Sequence, residues 1–274
     1  MVAKRIRSSL LLIGITILSI IFRPLCLLMV VLFILTGLWE FFLMIEKKKV
    51  RLFKFFGLIL GAFIPISIFF QFPITREWQL FLIVCGLFIL FLLELTRKEN
   101  QETILSISAT VFGVLYVSWC FSFILRIRNL EGGVFLLGFL ILVVKAQDLG
   151  AYIIGSLWGR HPLLKRVSPN KSIEGAAGGL VFSVIFALLF RAWLDNFTIF
   201  QVMGLGLILG VVGQLGDLFE SLLKRDCQVK DSGRILLGMG GVLDVIDSLI
   251  FSAPVFYFYV TMFKNISFYY LLFK

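Results

Sequence analysis

The sequence predicts an all-α polytopic integral membrane protein, and three features predict it. Of its 274 residues, 60% are hydrophobic, against roughly 45–50% in soluble domains. The mean hydropathy is +1.03. The apolar residues also run in stretches close to the roughly 20 residues that a membrane-crossing helix needs. Nine such segments are expected, at 8–22, 25–45, 55–70, 78–95, 103–125, 132–155, 174–190, 197–220 and 240–262. The first is short, and Arg23-Pro24 makes it a hairpin partner of the second. No small-residue cleavage site follows it and the apolar pattern continues, so a retained segment is expected rather than a removable signal peptide.

Orientation follows from where Lys and Arg fall, because short cytoplasmic loops carry an excess of them. With the N-terminus inside, the inner segments hold Lys4, Arg5, Arg7, the tract Lys47 to Lys54, Arg97, Lys98, Arg160, Lys165, Arg166, Lys171, Lys224, Arg225, Lys230 and Arg234. The outer ones hold only Arg23, Arg76, Arg126, Arg128, Arg191, Lys264 and Lys274. An N-in, C-out topology is therefore expected, with the polar loops on the cytoplasmic side. The net charge of +10 follows the loops rather than forming one tract. Membrane orientation and anionic headgroups explain it, and no nucleic-acid partner is expected. Cys26, Cys85, Cys120 and Cys227 have no metal or disulfide spacing.

The chain is expected to form one integral membrane domain that divides by polarity. Residues 1–130 are apolar spans and short basic loops, with Trp39-Glu40 at a span end, and carry no recognisable chemistry. Residues 131–274 bring ionisable groups and glycines into the spans, and ionisable groups at membrane depth mark function. The catalytic region is expected there.

Three polar clusters stand in this second half. Lys145 and Asp148, three apart, share a helix face that Tyr152 extends, and an internal ion pair explains them as well as a site does. Arg160-His161-Pro162 through Ser168-Pro169-Asn170-Lys171-Ser172 leads to Glu174-Gly175. Ser-Pro-Asn is turn-forming, and Ser172 with Glu174 can cap the next helix. A solvated turn competes there with an anion site made by helix-start N–H groups beside Lys171. His161, next to proline, reads as solvated rather than catalytic.

The third cluster is the most informative. Asp217, with Glu220 just after it, closes the eighth span, and Ser221 follows on the face of Asp217. Lys224, Arg225, Lys230, Asp231 and Arg234 form a charged loop, and Gly238, Gly240 and Gly241 precede Asp244 and Asp247. Oxygen donors without His or Cys select Mg²⁺ or a similar hard ion. Carboxylates with Lys and Arg beside glycine turns suit a di- or triphosphate with its metal.

These residues resemble the integral-membrane phosphatidate cytidylyltransferases, or CDP-diacylglycerol synthases. That family's C-terminal pattern runs Ser-x-x-Lys-Arg, Lys-Asp, Pro or Gly, x, His-Gly-Gly, then Asp-Arg-x-Asp. Here it is matched by Ser221, Lys224, Arg225, Lys230, Asp231, Gly238, Gly240, Gly241, Asp244 and Asp247. Asp148, Ala151, Tyr152 and Gly155 resemble its D-x-x-AY-x-x-G segment. Ser168-Pro169-Asn170-Lys171-Ser172 with Glu174-Gly175 resembles its SP-x-K-(T/S)-x-EG segment. Met239 stands where the family has His, and Val245 where it has Arg.

The resemblance implies transfer of a cytidylyl group from CTP to phosphatidate, giving CDP-diacylglycerol and pyrophosphate, at a cytoplasm-facing site in a bacterial plasma membrane. Asp217 and Asp244 are the expected Mg²⁺ ligands, with room for a second ion. Lys224, Arg225, Asp231 and Asp247 are expected to be catalytic. Lys171, Ser172, Asp148, Tyr152, Ser221, Lys230, Gly240 and Gly241 are expected to bind substrate. A homodimer is expected from the resemblance alone. The competing readings are a CTP-dependent polyprenol- or phytol-type lipid kinase, a membrane transporter, and a structural membrane protein. A transporter would show repeated halves with broken helices, and no internal repeat is visible.

Overall fold

The computed structural model describes residues 13–70, 78–97, 102–194, 197–233, 235 and 240–272, the side chains at 78–80, 82 and beyond 262 excepted. The expectations for Arg234, Gly238 and Met239 lie outside the described residues. Helix α1 covers 13–21, and Phe22 breaks it in an extended conformation. Helix α2 then starts at Arg23 and runs to Glu46, with proline in its first turn, where the missing N–H costs nothing. There follow α3 (Lys54–Phe69), α4 (Trp78–Leu95), α5 (Thr103–Gly113) continuing as a π-helical segment to Trp119, α6 (Phe123–Arg128) and α7 (Gly133–Trp158). A hairpin of β1 (Pro162–Leu164) and β2 (Ser168–Ser172) leads to α8 (Ile173–Phe190), and α9 (Ile199–Asp226) and α10 (Leu243–Leu272) complete the order.

Six stretches among the described residues are long and apolar enough to cross a membrane: Arg23–Glu46, Thr103–Arg128, Gly133–Trp158, Ile173–Trp193, Ile199–Asp226 and Leu243–Met262. The segments expected near 55–70 and 78–95 are helical over Lys54–Phe69 and Trp78–Leu95, and their apolar stretches, Lys54–Phe69 and Ile83–Leu95 among the described residues, are shorter than those six. Sixteen residues of α3 rise only about 24 Å, short of the roughly 30 Å hydrocarbon core.

The chain forms two compact units. The first comprises Met1–Leu125 and Lys224–Ile246, the second Arg126–Leu223 and Asp247–Lys274. In the first, α2, α3 and α5 pack through glycines: Gly57 faces the Phe42 ring, and Gly113 faces Phe41 and Phe42. Phe41, Phe112 and Tyr116 add ring contacts, and the Ser118 hydroxyl donates to the Gly61 carbonyl at 2.6 Å. In the second, α7 and α8 approach closely enough that a side chain at Gly175 would meet the Ala151 carbonyl at 2.9 Å and the Gly155 backbone at 3.0 Å. Only glycine permits that separation.

Candidate active site

In the second unit, a cavity of about 390 Å³ is lined by α7, the hairpin, α8 and α9. Asp148, Tyr152 and Gly155 contribute from α7, Asn170, Lys171 and Ser172 from β2, and Gln214 and Asp217 from α9. The hairpin corrects the turn expected at Ser168-Pro169-Asn170. Those residues form strand β2, paired antiparallel with Pro162 opposite Ser172 and Leu164 opposite Ser168, and the turn falls at 165–167. Proline is tolerated because a two-stranded ribbon is all edge.

The expected cap is present. The Ser172 hydroxyl accepts from the Gly175 N–H at 3.0 Å at the start of α8. Glu174 turns back instead: its Oε2 accepts from the N–H groups of Arg160 and His161, at 3.1 and 3.2 Å. Its Oε1 lies 2.5 Å from His161 Nδ1. His161, 74% exposed at its side chain, is solvated as expected and also braces the hairpin through Glu174. The strand delivers Lys171 to Asp217, with which it forms an ion pair. Gln214, one turn before Asp217, donates to the Ala176 carbonyl at 2.9 Å and ties α9 to α8.

Beside this wall, one carboxylate oxygen each from Asp217, Glu220 and Asp247 lie within 4.8 Å of one another. Glu220 is fully buried and Asp247 is 6% exposed. Three hard oxygen donors, converging where charge is expensive to bury, are a donor set suited to Mg²⁺ or a similar ion. Lys145 lies 2.9 Å from Asp148 and donates to the Ser248 hydroxyl at 3.1 Å, joining α7 to α10. The internal ion pair weighed for Lys145 and Asp148 is therefore formed, and Asp148 also lines the cavity. Tyr152 is 74% exposed beside it. Ser221 is half-buried on α9.

The first unit holds a separate polar network. Lys224 Nζ lies 2.6 Å from Asp244 Oδ1. Asp244 Oδ2 accepts from the Gly241 N–H at 2.7 Å, the Ser232 hydroxyl at 2.9 Å and the Ser232 N–H at 3.2 Å. Asp244 is not among the three clustered carboxylates, although it shares α10 with Asp247. Glu40, 2% exposed, accepts from Val242 and Leu243 N–H at 3.1 and 2.9 Å and from the Ser232 hydroxyl at 3.2 Å. Gly240 has φ +93°, and a side chain there would meet Asp244 Oδ2 at 2.5 Å. At Gly241 one would strike Ser232 and Glu40.

The loop between α9 and α10 starts at an αL residue, Gln228 (φ 56°). Val229 N–H bonds to the Lys224 carbonyl at 2.9 Å and Gln228 N–H to the Arg225 carbonyl at 3.0 Å, the paired bonds that end a helix in a Schellman motif. Arg225, Lys230 and Asp231 are exposed on this segment. Burial pushes the Cys227 thiol above its ordinary range, against the pull of the Lys48 and Lys47 charges.

Glu220, Gln214 and Glu40 had no expected role. Glu220 had a signal, since it lies three residues after Asp217 on one helix face in an apolar chain. Glu40 had only its place at a span end, because its partners arrive about two hundred residues later.

A segment of 169 residues is 39% identical to a phosphatidate cytidylyltransferase of Bacillus subtilis, covering 61% of this chain and 62% of that protein. A segment of 158 residues is 42% identical to a phosphatidate cytidylyltransferase of Staphylococcus aureus, covering 57% and 60%. An uncharacterized protein of Escherichia coli, YnbB, is 39% identical over 151 residues, 55% of this chain and 50% of its own length. The chain thus spans between half and two thirds of these relatives. Its match to a single family is broader, taking in nearly all of both units from residue 3 to residue 263, and on that match the chain belongs to the cytidylyltransferase family.

Proposed function

We propose that the protein transfers a cytidylyl group from CTP to phosphatidate, forming CDP-diacylglycerol and releasing pyrophosphate, at a cytoplasm-facing site in a bacterial plasma membrane. The observation that carries this reading is the cavity of about 390 Å³ whose wall pairs Lys171 with Asp217, beside the buried cluster of Asp217, Glu220 and Asp247. Family membership and the two phosphatidate cytidylyltransferases among the relatives support the choice of substrates.

In this reaction a phosphate oxygen of phosphatidate attacks the α-phosphorus of CTP. The bond from that phosphorus to the oxygen bridging the β-phosphorus breaks, and pyrophosphate leaves with the electron pair. A phosphate monoester has its second pKa near 6 and arrives already ionised, so no strong base is required. The demand is for positioning and charge neutralisation. Asp217, Glu220 and Asp247 would hold Mg²⁺, which when bound neutralises phosphate charge and orients the reacting oxygens. Lys171 exchanges its carboxylate partner for a phosphate oxygen, and the Ser172 cap with Asn170 fixes the strand that carries it. Asp148 and Tyr152 line the cavity. Lys224, held 2.6 Å from Asp244, is proposed as a further cation for the phosphate groups.

The test is product analysis with purified protein in detergent, CTP, phosphatidate and Mg²⁺, beside Asp217→Asn. Pyrophosphate and CDP-diacylglycerol in equal amounts, lost in the variant, bear the proposal out. CDP with a phosphorylated lipid alcohol would replace it with the kinase reading, and no turnover from well-folded protein would remove both.

A further inference from the structure

The polar network of the first unit joins Glu40, from the half of the chain that shows no chemistry in its sequence, to Ser232 and the start of α10. Glu40 sits near the end of α2, 2% exposed. A carboxylate buried in an apolar helix is costly unless its oxygens are satisfied. Here both are: Oε1 takes the Val242 N–H and Oε2 takes the Leu243 N–H and the Ser232 hydroxyl. Val242 and Leu243 are at the start of α10, where N–H groups lack helical partners and the helix dipole favours negative charge. Glu40 therefore acts as an N-terminal cap supplied from a remote segment.

Its second effect passes through Ser232. That hydroxyl lies 3.2 Å from Glu40 Oε2 and 2.9 Å from Asp244 Oδ2. One hydroxyl proton serves two carboxylates, and the backbone N–H of Ser232 supports Asp244 as well. Asp244 in turn holds Lys224. The glycines complete the arrangement, since a side chain at Gly241 would occupy the space of the Glu40 carboxylate and the Ser232 hydroxyl.

We infer that Glu40 is a positioning residue for the reaction, acting through Ser232 and the first turn of α10 to fix Asp244 and Lys224. The inference rests on the proposed cytidylyl transfer for its kinetic readout, but not for its structural one. Loss of a hydrogen bond to a charged group costs on the order of 10- to 100-fold.

The experiment compares wild type, Glu40→Gln and Ser232→Ala as full-length protein in detergent. It reads kcat and KM for CTP, the thermal midpoint, and amide hydrogen exchange of the peptide covering 240–246. Glu40→Gln is expected to lower kcat by about 10- to 100-fold, with KM for CTP changed less and exchange at 240–246 accelerated. Ser232→Ala keeps both backbone bonds to Glu40, and it is expected to lower kcat while exchange at Val242 and Leu243 stays slow. A purely structural role would lower the midpoint and the active fraction but leave kcat per folded molecule unchanged, which overturns the inference. Unaltered exchange at 240–246 in Glu40→Gln overturns it too. If Glu40→Gln does not fold, Ser232→Ala decides, and wild-type kcat there refutes the coupling to Asp244. A wild type that makes no CDP-diacylglycerol sinks the functional reading alone, and the exchange comparison still decides the placement of Glu40.

Discussion

The carboxylate cluster of the second unit gives a prediction that needs no turnover. Asp217, Glu220 and Asp247 each offer an oxygen within 4.8 Å of the others. At an effective dielectric constant of about 20, two ionised groups at that separation repel by roughly 3.5 kcal/mol. Three such pairs amount to about 10 kcal/mol in gross repulsion, which Lys171 and Lys145 offset in part. Glu220→Gln removes two of the three pairs without changing side-chain size. In EDTA the variant is therefore expected to melt above wild type, by about 2 °C or more. A ligand at about 100 times its dissociation constant stabilises a fold by roughly 2.7 kcal/mol, or about 5–10 °C at 2–4 °C per kcal/mol. Mg²⁺ is expected to raise the wild-type midpoint by that amount and the Glu220→Gln midpoint by less than about 2 °C. The assay is thermal unfolding in detergent, in EDTA and in millimolar Mg²⁺. Equal midpoints for both proteins in EDTA together with equal Mg²⁺ shifts would refute the placement of a cation among these three groups.

Three further outcomes are expected. Lys171→Met removes the cation beside Asp217 and should raise KM for CTP by about 10- to 100-fold, at the scale of a charge-assisted hydrogen bond of roughly 1.5–3 kcal/mol, in steady-state assays of pyrophosphate release. Gln228→Gly relieves a non-glycine residue at φ 56° and should stabilise the protein by about 1 kcal/mol, seen as a higher midpoint at unchanged activity. Because burial raises the Cys227 thiol, its thiolate fraction is depressed at neutral pH. Alkylation by a maleimide at pH 7 should be slower than for an exposed cysteine and should accelerate only above the ordinary thiol range, measured by mass spectrometry across pH.

Much of the helical order was legible because apolar runs are long and span ends are marked by Arg, Lys and proline. The break at Phe22 before Pro24 was signalled by the Arg23-Pro24 pair. The bounds of α3 were legible to within one residue, but composition does not tell a helix of sixteen residues with Pro65 inside it from a full membrane span. The strand at Ser168–Ser172 was hidden by turn-forming residues, whose local preference yields to pairing with Pro162–Leu164. Asp217 and Lys171 could be named from residue type, but their mutual contact could not, because it joins a strand to a helix 46 positions away. Asp244 and Asp247 look equivalent at a spacing of three. Their partners differ, the first held by Lys224 and Ser232, the second clustered with Asp217 and Glu220.

The contact between Gly241 and Glu40 has an evolutionary consequence. A methyl group at position 241 would collide with the Glu40 carboxylate, and shortening the acid would release two N–H groups at the start of α10. Neither position can drift alone. Across divergent members of the lineage the two should change together or not at all, so an inherited pair, about two hundred residues apart in the chain, records a single steric decision.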